Sequence, residues 1–244
     1  MTRARSSFDL LALTGLVLRE PKRVLEHAAP ERLLPSLLTL VIAGAGLFGL
    51  VVGSYRGGLQ HLWAAIKLPM VLLLPLLVAL PACVALYRVA GVAVRHGQVV
   101  LAAVLGTARA SLLLAAMTPA LWLAYSIALP YHDAVLLMCG ALVVAGGIGL
   151  STTASLLPGG GHLRTAAHLG SLAIAAVVLA QGGWLLRPFL VRPRGEITFV
   201  RAPEADVFSS VAASYRSAKG DYRGWDAEPV PLWRGGDAPQ QEAP

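Results

Sequence analysis

Along the chain, apolar residues come in long unbroken runs separated by short polar stretches, with no strict alternation that would mark a half-buried strand. Runs of span length fall at Leu33–Ser54, Leu68–Ala90, Val99–Leu129, Ala134–Leu157 and Thr165–Leu186. A bilayer core needs about 20 such residues per helix, so the pattern predicts five spans. The third run is too long for one upright helix and carries Arg109 near its start, so Val99–Ala108 reads as a boundary or re-entrant piece before a span at Ala110–Leu129. The second run contains Pro69, Pro75 and Pro81, and the interior prolines predict a kink because each removes a backbone donor.

Three further segments are amphipathic. Phe8–Leu18 spaces Leu10, Leu13 and Val17 helically ahead of Arg19, Glu20, Lys22 and Arg23, as an interfacial helix would. In Ser54–Pro69, Leu59, Leu62, Trp63 and Ile66 share a stripe with Arg56 and Lys67 near the ends, predicting a short helix lying on the membrane surface. Glu204–Ser217 repeats the pattern through Val207, Phe208, Val211 and Tyr215. The expected organisation is therefore an N-terminal interfacial region (1–32), a transmembrane domain (33–186) and a tail (187–244) holding helix 204–217 and a flexible end. The fold class is all-α, a polytopic transmembrane helical bundle with interfacial amphipathic helices.

Charge sharpens this picture. Only 14% of the 244 residues are charged and 56% are hydrophobic, whereas about a quarter of an ordinary soluble domain is charged. Of the 13 acids, four lie in residues 1–32, eight in 187–244, and Asp133 alone in between. A water-facing surface cannot be built from that middle. The net charge of +7 is not a nucleic-acid footprint, because the middle bases are scattered between apolar runs rather than clustered on one face. Counting Lys and Arg near the span ends gives nine on the N-terminal side against five on the other, which predicts a cytoplasmic N-terminus. No small-residue cleavage site follows the first apolar stretch, so no cleaved signal peptide is expected.

Candidate chemistry is sparse. Gly-x-Ser-x-Gly, His-Glu-x-x-His and Walker patterns are absent, Cys83 and Cys139 lie inside apolar runs, and His61 has no second ligand one turn away. Neither an enzyme nor a bound cofactor or metal is expected. Ala45, Gly49, Gly53 and Gly57 recur every four residues, a helix-packing interface of the small-xxx-small kind, and Gly140, Gly146, Gly147 and Gly149 form a second group. Arg109 is the possible functional charge, against a plainer role as an arginine snorkelling to the boundary. His168 reads as a helix-end residue rather than a proton relay. In the tail, Phe208, Tyr215, Trp225 and Trp233 stand as aromatic anchors in polar sequence, suited to binding a protein partner.

The stretches GSYRGGLQHLWAAIKLPMVLLLPLLVALP (53–81) and GWLLRPFLVRPRGEITFVRAPEADVFSSVAASYRS (183–217) resemble a family of small polytopic bacterial membrane proteins, similar in layout to five-span Yip-type proteins. The more specific marks are Ala65-Ile66-Lys67-Leu68-Pro69 and Leu186-Arg187-Pro188-Phe189. Some members carry an actin-binding label by homology, and most are uncharacterised. The resemblance implies a helical bundle in the bacterial cytoplasmic membrane with no known activity. Together these features predict a non-enzymatic accessory or structural subunit whose partners are the lipid bilayer and a second membrane protein or further copies of itself. The alternative is a small transporter or pore that attracts anions through Arg109.

Overall fold

The computed structural model describes residues 10–27, 30–91, 95–127, 129–157, 162–186 and 189, with a few residues between 209 and 219. Among these it contains helices and turns and no strand. Two short helices, α1 (Leu10–Arg19) and α2 (Pro21–His27), precede five long ones: α3 (Pro30–Ser54), α4 (Gln60–Val89), α5 (His96–Ser126), α6 (Tyr131–Leu156) and α7 (His162–Leu185). The long five are each apolar and long enough to cross a membrane, so the chain is a multi-pass transmembrane protein.

The third apolar run is one uninterrupted helix of 31 residues, not a re-entrant piece followed by a span. Its excess length is used in packing: the first turns of α5 supply Leu101, Val104, Leu105 and Ala108 to a core layer shared with α1, α2 and α3. Leu13 and Val17 of α1 and Val24 of α2 are buried in that layer, while Leu11 stays 83% exposed. Pro21 starts α2 at the position where a missing donor costs nothing.

The neighbours are α7 against α4, α4 against α3, α3 against α5 and α5 against α6, whereas α6 and α7 barely touch. The spans therefore form a U in cross-section, with α3 at its base. The turn from α3 to α4 is tight because Gly57 and Gly58 take φ values of +80° and +60°, which only glycine adopts without strain. Helix α4 runs unbroken through its three prolines. Pro75 is accommodated by Gly182 of α7, where a Cβ would collide with the proline ring.

The start of α4 departs most from the surface helix expected over Ser54–Pro69. Gln60 opens a continuous transmembrane helix docked on α3. Its orientation is inverted: Leu59, Leu62 and Ile66 are 52%, 52% and 42% exposed, while Gln60 and Lys67 are fully buried. In water the apolar stripe would turn inward. In lipid the hydrocarbon outside is as apolar as leucine, so the polar side chains turn to the interior, where hydrogen-bonding groups stand.

Candidate functional site

Gly49 and Gly53 are where α4 meets α3. A Cβ on Gly53 would lie 2.5 Å from the Gln60 carbonyl oxygen, and one on Gly49 would run into the Ala64 carbonyl. Ala45 is buried on the same face. Gly57 lies beyond the helix end, in the turn, with nothing within 4 Å of its Cβ position. Gly49 and Gly53 thus contact a span of the same chain. The α6 group divides instead. Gly149 meets Gly106 of α5 across an equally close backbone approach, whereas Gly140, Gly146 and Gly147 have nothing within 4 Å.

Lys67 lies fully buried two turns into α4. Because Gly49 opposes Ala64 and Gly53 opposes Gln60, Lys67 stands level with Gly46, which is eight residues from the Ser54 end of α3. At 1.5 Å per residue that is about 12 Å inside the span, close to the middle of a roughly 30 Å hydrocarbon core. Reading Lys67 as the polar terminus of a surface helix missed this residue. The available signal was the spacing of Gln60, Ala64, Lys67 and Val71, which lie on one helical face separate from the apolar stripe.

Around the α3–α4 turn, aromatic groups join the loops. The Tyr55 hydroxyl donates to the Leu129 carbonyl at 3.0 Å, and its ring meets Tyr125 edge-on at a centroid distance of 5.3 Å and Tyr131 at 6.3 Å. Burial, reinforced by Tyr131 and Asp133, pushes the Tyr55 phenol above its ordinary range, so it remains a neutral donor. Gln60 Nε2 donates to the Phe189 carbonyl at 2.8 Å, tying the segment after α7 back to the start of α4.

Arg109 is near the middle of α5 and half-buried. Its Nη1 donates to Thr152 Oγ1 at 2.9 Å and its Nη2 to the Leu18 carbonyl at 3.0 Å. Thr152 passes the chain on, donating to the Ile148 carbonyl at 2.8 Å. No carboxylate among the described residues pairs with it. Thr152 is four residues from the end of α6, about 6 Å along a helix. The guanidinium therefore reaches from mid-helix toward the end of the bundle where α1 lies, which is the geometry of snorkelling.

At that same end, the Tyr87 hydroxyl and His168 Nδ1 are 2.5 Å apart and Arg88 Nη2 is 3.3 Å from His96 Nε2. No group of three His, Cys, Asp or Glu side chains suited to a metal occurs among the described residues. Of the tail anchors, Tyr215 is exposed and Lys219 Nζ lies 4.4 Å over its ring. Phe208, Trp225 and Trp233 lie outside the described residues, as does most of segment 204–217.

Comparison with protein families, with curated proteins and with solved structures returns no match.

Proposed function

We propose that this chain is a non-enzymatic accessory subunit of a larger membrane assembly, set in the bacterial cytoplasmic membrane with its N-terminus in the cytoplasm. The observation that carries the reading is the outward face of α6. Gly140, Val144, Gly147 and Ser151 are all exposed and, at 100° per residue, fall within a narrow stripe. Small residues that admit a close backbone are occupied elsewhere in this bundle, at Gly49, Gly53, Gly106 and Gly149. The α6 stripe is a comparable surface turned to lipid, suited to a transmembrane helix from a partner or a second copy. The aromatic tail residues supply a second contact outside the bilayer.

The pore alternative needs a polar path around Arg109, and the guanidinium is instead engaged by Thr152 and the Leu18 carbonyl.

The test is affinity capture of the tagged chain in mild detergent. Gly140→Leu with Gly147→Leu should fold normally, since both Cβ positions are open, and should lose the partner or the oligomer. Deletion of 221–244 should weaken recovery further. Undiminished recovery in the double variant, with its melting temperature unchanged, sinks the reading.

A further inference from the structure

Within the U of spans, α4 and α5 form the back of a cleft whose sides are α6 and α7. Its lining is mainly apolar, and the partly open cleft has a volume of roughly 70 Å³. At one end stand Tyr87, Val99 and Leu157; the other is marked by Ala110 and Gly146. From Val99 to Ala110 the cleft follows α5 for 11 residues, about 16 Å. That is the depth of one leaflet's hydrocarbon, about 15 Å. A helix needs about 10 Å of width, far more than this volume offers, so the shape suits a slender chain lying partly in the cleft and partly in the bilayer beyond the α6–α7 seam.

The mouth is basic. Arg95 is one helical turn above Val99, and Arg88 follows Tyr87 directly; both are exposed and neither has a carboxylate partner among the described residues. Just below, Ser171 lines the cleft at 4% exposure, its hydroxyl buried with no nitrogen or oxygen partner and only the Cys83 thiol beside it. A thiol is a weak hydrogen-bond partner, so an oxygen acceptor arriving at this depth would be held by the Ser171 hydroxyl. Read from the surface inward, cations stand at the level of the opening, then comes the Ser171 hydroxyl, then a mainly apolar wall, the whole about a leaflet deep. The phosphate, ester carbonyl and acyl chain of a glycerophospholipid occur in that same order.

We propose that this cleft is a binding site for one anionic glycerophospholipid, its phosphate at Arg88 and Arg95, an ester carbonyl accepting from Ser171 Oγ, and one acyl chain along the groove. The site is independent of the partner-binding face on α6, which points to the outside of the U.

The experiment uses the full chain in phosphatidylcholine nanodiscs doped with phosphatidylglycerol carrying a mid-chain diazirine, with adducts mapped by mass spectrometry after irradiation. Adducts should concentrate on cleft residues such as Leu76 and Ala175 over the outward residue Val143. Gly146→Phe fills the cleft from a position with an open Cβ and should abolish that preference. Arg88→Ala with Arg95→Ala, both at exposed positions, should cut cleft labelling by roughly thirtyfold at about 1 kcal/mol per basic residue, while a phosphatidylcholine probe is unaffected. Equal labelling of Val143 and the cleft, or phosphatidylglycerol labelling indifferent to the arginine pair, overturns the proposal. Should Gly146→Phe fail to fold, the arginine pair decides alone.

Discussion

The Arg109 guanidinium donates to the backbone carbonyl of Leu18, 91 residues earlier in the chain, at 3.0 Å. Leu18 lies in the last turn of α1, where carbonyls lack intrahelical partners and the helix dipole favours a cation. The contact makes α1 part of the bundle rather than a helix that merely rests on the membrane.

From this follows a graded effect of substitution. Arg109→Lys keeps the charge but cannot hold Thr152 and Leu18 with a planar fork, and should cost about 1 kcal/mol. Arg109→Leu should loosen α1, so that trypsin cuts faster at the exposed Arg19, Lys22 and Arg23 while α3–α7 stay protected. Unchanged cleavage rates in the leucine variant would show that α1 is held by Leu13 and Val17 alone.

Lys67 is expected to be chemically silent in the folded protein. With the protein in mild detergent, an amine reagent should modify Lys22 and Lys219, which are exposed, and leave Lys67 untouched until denaturation. Modification of Lys67 at the rate of Lys22 would place α4 on the membrane surface.

At the α3–α4 contact, Gly53→Ala has no room for its methyl group, 2.5 Å from the Gln60 carbonyl. Overpacking of this kind costs about 1–3 kcal/mol. Thermal unfolding in detergent should show the loss, in contrast with Gly147→Ala, which meets open space.

Tyr55→Phe removes the donor to Leu129 while keeping the ring contacts, and should lower stability by about 1 kcal/mol. Because the folded phenol titrates above its ordinary range, the difference from wild type should hold at neutral pH and shrink as alkaline pH first ionises the unfolded chain's phenol and then passes the raised folded value. A difference that vanishes between pH 6 and 8 would refute the assignment of Tyr55 as a neutral donor.

Orientation is open to direct measurement. With Lys67 inside the bundle, the charge count becomes nine against four, and a cytoplasm-only reporter should be active when fused after residue 95 or 163 and inactive after 132. The reverse pattern would invert the topology.

Five membrane-length apolar runs determined the helical class and the number of spans, because lipid demands that backbone groups be satisfied within each segment. The first short helix was equally legible, from Leu13 and Val17 at one spacing and the charges that follow. Facing was another matter. Whether Lys67 ends a surface helix or sits at mid-depth depends on Gly49 and Gly53 letting α4 approach α3 from Gln60 onward, a contact between segments that no local window contains. The same holds for Arg109, whose cost is set by Thr152 and Leu18, and for the cleft, whose walls come from four spans. Hydropathy records how much of each helix prefers hydrocarbon to water; lipid and a protein interior are nearly equivalent to a leucine, so only tertiary packing decides which face meets which.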